Sequence, residues 1–269
     1  MPVGATDCHF HIFGPRDRYP LAPSRMYDPQ EASVEDYLAM ANTLGLQRRV
    51  IVQASVYGVD NRCLVDSIEG LGRDRTRGIA VIDTSITDEG LQQLHAAGVR
   101  GIRFNAISGG ISLDELPVLA GRIAPLGWHV QLWVKGERLP SIEPVIADLP
   151  VPVCIDHLGQ IAPSKGLSHP EFKSLERCLR AGRTWVKLSV YRSSAQDDPY
   201  DDVLDQVRAI VATAPERCVW GTDWPHPLLE HRAMPDAGRL MDLLYHWAGD
   251  DATFRRILVD NPAVLYGFA

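Results

Sequence analysis

Long apolar runs are missing from this chain. None approaches the roughly 20 residues that a membrane-crossing helix needs, so no membrane partner is expected. A basic block is missing too: 27 Lys and Arg stand against 34 Asp and Glu, for a formal net charge of −7. That balance argues against nucleic acid as a partner. It leaves room for an anionic small molecule in a locally positive pocket. The N-terminus has neither the basic nor the apolar part of a secretory leader, so a cytoplasmic location is expected. The five cysteines (Cys8, Cys63, Cys154, Cys178 and Cys218) form no CxxC pair. Free thiols are the expectation, most of them serving as small hydrophobes in strands. Cys8 has an aspartate and two histidines as neighbours. Strand alternation should turn it away from those histidines, which argues against a nucleophile. No flexible linker, low-complexity tract or composition break divides the chain, and residues 1–269 read as one domain. Nothing in the pattern speaks for or against a homo-oligomer.

What the chain does contain is a strand–helix alternation. Eight short apolar runs read as strands: Ala5–Phe13, Arg49–Ser55, Arg77–Asp83, Gly98–Asn105, Trp128–Val134, Val151–His157, Thr184–Val190 and Cys218–Asp223. Amphipathic segments lie between them, from Ser33–Leu44, with Ser33 as N-cap, to a closing pair at Ala237–Trp247 and Ala252–Leu265. Runs such as VIVQA and PVCID are apolar on both faces, as buried parallel strands are. Eight such units in 269 residues predict an α/β fold of the (β/α)₈ barrel type. A doubly wound open sheet is the alternative. It usually carries a glycine fingerprint after its first strand, where this chain has HFHIFGP.

In a barrel the C-terminal strand ends converge on one mouth, where barrel enzymes place their chemistry. Those ends bring His9 and His11, Gln53 and Ser55 followed by Tyr57, Arg103 and Asn105, Trp133 and Lys135, Asp156 and His157, Ser189, Tyr191 and Arg192, and Asp223 followed by Trp-Pro-His226. His9 and His11 share a face by the period of two. Taken singly, each residue has a bland explanation. Asp156 braces a loop, since its neighbour His157 takes the other face; Arg103 pairs with a carboxylate; Asp223 caps a segment. Three histidines, two arginines and an aspartate at one mouth are hard to assign to packing alone.

The motifs DCHFHIFGP, VIVQASVYGVDN, GVRGIRFN, IDHLG, WGTDWPHP and VDNPAVLYGF run in order along nearly the whole chain. They resemble the amidohydrolase superfamily, and within it the branch of 2-pyrone-4,6-dicarboxylate lactonases, 4-sulfomuconolactone hydrolases and sugar lactonases. The resemblance implies a (β/α)₈ barrel and hydrolysis of a small anionic lactone in aromatic or sugar-acid catabolism. By that resemblance Asp223 is the general base for water. His9, His11 and His157 donate hydrogen bonds to the oxyanion. An ordinary aspartate, with a pKa near ~3.9, is a weak base, so burial or a shared proton has to tune it. Arg103 and Arg192 are expected to hold a substrate carboxylate, with Tyr27, Ser55, Tyr57, Trp133 and Lys135 lining the site; of these, Tyr27 and Arg192 match substrate-contacting residues of the branch, and His226 either orients Asp223 or is structural. Two positions depart from the branch. Gly109 stands where a second arginine is expected, and Trp133 where a tyrosine is expected, which puts a second substrate carboxylate in doubt.

Many superfamily members hold metal on a lysine of strand four and a histidine of strand five. This chain has Arg103 and Trp133 there, and an arginine is not a ligand. The resemblance therefore implies no cofactor. One divalent ion such as zinc on His9, His11 and Asp223 is the alternative, and with it a zinc-dependent decarboxylase or amidohydrolase. A lactone isomerase and a non-catalytic sugar-binding barrel are the remaining readings.

Overall fold

The computed structural model describes residues 1–229 and 232–269. Eight parallel strands pair in chain order: β1 (Thr6–Phe10), β2 (Arg48–Val52), β3 (Thr76–Ala80), β4 (Val99–Asn105), β5 (His129–Trp133), β6 (Val153–Ile155), β7 (Thr184–Lys187) and β8 (Cys218–Val219). Around them lie α1 (Val34–Leu44), α2 (Arg62–Leu71), α3 (Asp88–Ala96), α4 (Leu116–Ile123), α5 (Leu139–Asp148), α6 (Pro170–Arg180), α7 (Leu204–Thr213) and α8 (Ala237–Ala248). This is the expected (β/α)₈ barrel. Ser33 caps α1 reciprocally with Asp36, and Gly45 ends it in the left-handed region where glycine costs least.

The expected final helix is broken into α9 (Asp251–Arg255), a π turn (Arg256–Asp260) and α10 (Asn261–Tyr266). Pro262 is the physical reason: it has no N–H to give the preceding turn. Strand eight is also shorter than expected, yet the chain after it still closes the ring. Cys8 N–H donates to the Trp220 carbonyl (2.9 Å), Asp223 N–H to His9 (2.7 Å) and His11 N–H to Trp224 (2.8 Å). Gly221 makes that approach feasible, since a Cβ there would sit 2.5 Å from the His9 nitrogen. The Asp7 carboxylate ties the seam, accepting from Thr222 Oγ1 (2.7 Å) and from the His9 and Thr222 amides (each 3.0 Å). Burial outweighs those bonds and pushes its pKa up to about 6.

Register explains which side chains face inward. Thr6 and Asp7 pair with Arg48 and Arg49, but Phe10 pairs with Ile51, so β1 carries one extra residue. Phe10 turns outward and stacks on Tyr37 of α1 at 3.6 Å. Cys8 joins Val50, Ile79, Cys154 and Val219, from β2, β3, β6 and β8, in one buried cluster, and so packs inside the barrel. The alternation that should have turned Cys8 away from the histidine side is broken by this bulge. Tyr266 and Phe268 of the C-terminal segment close that inner cluster as a floor.

Candidate active site

The mouth is assembled from strand ends and the first residues beyond them. His9 lies on β1, Arg103 on β4, Trp133 on β5 and Lys187 on β7, while His11, Asp156, His157, Arg192 and Asp223 follow their strands directly. Asp223 and His157 hold left-handed backbone angles, with φ of 59° and 50°. Non-glycine residues rarely adopt these, and such strain gathers at functional positions.

Asp223 is the hub. Its Oδ1 stands 3.4 Å from His9 Nε2 and 3.3 Å from His11 Nε2. Tyr191 donates its hydroxyl to Oδ2 at 2.6 Å, and the Arg192 Nε also donates there. His157 Nε2 is 3.9 Å from the same oxygen. Burial pushes the Asp223 carboxyl up, but the groups facing it, the Arg192 guanidinium foremost, outweigh burial and hold it well below the usual range. Tuning therefore exists, but it makes the resting carboxylate a weaker base. Burial lowers the pKa of all three imidazoles, His157 to about 3, so the rings are neutral.

Hydrogen-bond partners assign the tautomers. His11 Nδ1 faces the Val52 carbonyl at 2.8 Å. A carbonyl only accepts, so the ring hydrogen is on Nδ1 and Nε2 is bare. Neutral His11 therefore cannot donate from Nε2 as expected; it must first take up a proton. His9 Nδ1 lies 3.1 Å from Lys187 Nζ. An ammonium only donates, so the His9 hydrogen is on Nε2, pointing toward Asp223.

A second carboxylate lies beneath. Asp156 is fully buried, 3.2 Å from Lys187 Nζ and 3.4 Å from an Arg103 nitrogen, and accepts from Gln131 at 3.1 Å. Burial raises its pKa, yet the Lys187 ammonium first, and then the Arg103 guanidinium, help to hold it far down. It braces no loop. The left-handed turn at His157 breaks the alternation, so Asp156 and His157 both face the interior.

The remaining expected residues divide into groups. A cavity of about 360 Å³ beside the hub is lined by Ser55, Tyr57, Arg103, Arg25 and Gly109, among others. The imidazoles and Asp223 do not line it. They are sealed, each at most 3% exposed, with Trp133 lying 5.1 Å from the Arg103 guanidinium and 5.3 Å from that of Arg192. Tyr27 lies edge-on to Phe13 at 6.5 Å, in a neighbouring depression with His226. His226 packs edge-on against Tyr191 at 5.3 Å and gives its backbone N–H to the Asp223 carbonyl at 2.8 Å. Its contact with Asp223 is thus through backbone and Tyr191. Lys135 is exposed, in an outer depression with Asp114 and Arg138. Sequence reasoning missed Lys187 and Gln131, and placed Tyr191 at the mouth without its bond to Asp223. The available signal was a charged or amide residue inside an apolar strand, as in TWVKL and HVQLW.

By distance alone, His9, His11 and Asp223 could surround an ion, as could His9, Asp156 and His157. The donor chemistry does not fit one. A ligating imidazole needs a bare nitrogen. His11 offers one, but the outer nitrogen of His9 carries its hydrogen. Asp223 is already engaged by an arginine, and a second cation, Arg103, is buried at the same mouth.

A sequence model described as amidohydrolase matches residues 6–268. The chain is similar to a 2-pyrone-4,6-dicarboxylate hydrolase of Comamonas testosteroni, with 40% identity over 99% of this chain and 91% of that protein. A 4-sulfomuconolactone hydrolase of Hydrogenophaga intermedia is 36% identical over 99% of this chain and 90% of its own length. A D-galactarolactone isomerase of Agrobacterium fabrum is 33% identical over 99% and 92% respectively.

Proposed function

This chain belongs to the amidohydrolase family, and we propose that within it the chain is a hydrolase that opens the ester ring of a small anionic lactone, without a metal. One observation carries the reading: among the described residues, Asp223 Oδ1 is buried without a hydrogen-bond partner, facing the outer nitrogens of His9 and His11. Water placed there gives a proton to Asp223, assisted by the bare nitrogen of His11, as its oxygen attacks the lactone carbonyl carbon. His9 donates its Nε2 hydrogen to the developing oxyanion, with His157 beside it. The ring C–O bond then breaks, and the departing oxygen takes the proton back from Asp223. The products are an alcohol or enol and a carboxylic acid, which ionises and acidifies the medium.

Arg192 has a double role in this scheme. At rest it holds Asp223 ionised and helps seal the hub. A substrate carboxylate competes for the same guanidinium, preferably in bidentate geometry. Drawing it away opens the path from the cavity and restores basicity to Asp223. Arg103, Tyr27, Ser55, Tyr57 and Trp133 complete the substrate contacts, with Lys135 at the rim.

The isomerase among the similar proteins favours a second reading, in which the opened ring recloses on another hydroxyl. Metal-stripped protein should be offered pyrone dicarboxylates, muconolactones and aldonolactones while proton release is followed. Acid release without added metal supports hydrolysis. A new lactone with no net acid supports isomerisation, and a strict zinc requirement overturns both.

A further inference from the structure

Lys187 has no part in those steps, yet its ammonium is buried at the heart of the barrel with no exposed surface. Burying a charge is costly unless it is paired and hydrogen-bonded. One partner is Asp156 Oδ1, at 3.2 Å. The other is the lone pair on His9 Nδ1, at 3.1 Å. The rival donor–acceptor pair, His9 Nδ1 to Asp156 Oδ1, is 3.6 Å apart and outside hydrogen-bond range. Gln131 and Arg103 meanwhile engage the other Asp156 oxygen, which leaves Oδ1 to the lysine.

We propose that Lys187 is a positioning residue that fixes His9 in the Nε2–H form, and that this one hydrogen both aims a donor at the lactone carbonyl and keeps a divalent ion out of the His9–His11–Asp223 cluster. The first half rests on the hydrolysis proposed above; the second does not. His11 is held the opposite way round by the Val52 carbonyl, so the two histidines of one HxH motif carry their hydrogens on different nitrogens. One presents a donor to Asp223 and the other presents a lone pair. A symmetrical pair would present two lone pairs beside a carboxylate, which is the donor set of a zinc site.

The test begins on the resting wild-type protein, with no substrate. Nitrogen NMR of ring-labelled histidine distinguishes protonated from bare ring nitrogens. The expected result is Nε2–H with bare Nδ1 for His9, and Nδ1–H with bare Nε2 for His11. The reverse assignment for His9 overturns the proposal. In Lys187→Met the His9 hydrogen should move to Nδ1, toward Asp156. Zinc titrated into metal-stripped protein should then bind about 10- to 100-fold more tightly than to wild type, the size of effect that outer-shell partners have. Lys187→Arg keeps a donor and should hold both properties near wild type. Equal zinc affinity in wild type and Lys187→Met overturns the metal-excluding half. Should Lys187→Met fail to fold because Asp156 loses its lysine, Lys187→Met/Asp156→Asn removes both charges, keeps an amide oxygen to accept from His9 Nδ1, and gives the same readouts. Where a lactone is turned over, Lys187→Met should lower kcat with KM nearly unchanged. Nε2–H on His9 with no turnover of any lactone would leave the tautomer assignment intact and count against the hydrolysis reading alone.

Discussion

The two ends of the barrel bury ionisable rings under opposite terms. At the floor, His129 packs edge-on against Tyr266 at 5.2 Å, and among the described residues neither its nitrogens nor the Tyr266 hydroxyl has a hydrogen-bond partner. No carboxylate approaches it within ion-pair distance among the described residues, and burial drives its pKa down to about 3. At the mouth, His9 sits between Lys187, Asp156 and Asp223. The ring chemistry is the same, but one end spends the ring as apolar filling and the other surrounds it with fixed charges. A buried polar atom without a partner is therefore not evidence of function by itself. It becomes so where charges of both signs are arranged around it and a cavity lies alongside.

The largest separation between the ends should come from Asp223→Asn. Activity should fall by about 10²- to 10⁴-fold, the usual worth of a general base, with the thermal midpoint nearly kept; steady-state kinetics and calorimetry together check this. A floor substitution should do the converse. Tyr266→Ala opens a void under the barrel and should cost about 3–5 kcal/mol of stability, read by urea denaturation. The kcat of the protein that remains folded should stay close to wild type. Arg192→Gln comes next. It should raise KM for an anionic lactone about tenfold or more by removing a charge-assisted bond, and it should affect a neutral lactone less.

The smallest expected effect is on acid stability. Asp156 and Asp223 have folded pKa values below their unfolded ones. Their contribution is fully present above the unfolded value near ~3.9 and is lost as pH falls through the lower folded values. Asp7 works in the opposite sense: its folded pKa of about 6 means stability declines as pH rises from the unfolded value toward 6. Asp7→Asn should therefore flatten that decline, and urea midpoints between pH 4 and pH 6 would show it. An unchanged pH slope in Asp7→Asn would argue against the buried seam.

The barrel and the hub were legible for physical reasons. Strands buried on both faces must be apolar along their length, and the strand–helix count follows from them. His9, His11 and Asp223 were found because polar groups at strand ends share a mouth in this fold. What escaped was set by local departures from the regular strand. The extra residue in β1 turns Cys8 inward beside His9. The left-handed angle at His157 puts two neighbouring side chains on one side. Lys187 lay hidden inside a strand, where a charge has meaning only once Asp156, 31 positions away in the chain, is seen beside it. The Arg192–Asp223 pair also joins separate elements, and no spacing rule points to it.

Trp133 lies with two guanidinium groups near its ring, that of Arg103 at 5.1 Å and that of Arg192 at 5.3 Å. An indole next to two cations is also a lamp whose colour and brightness depend on their company. If a ligand pulls Arg192 aside, the emission of this one indole should change while the other five tryptophans stay as they were. Subtracting the spectrum of Trp133→Phe would isolate it, so the protein carries its own optical gauge of ligand entry.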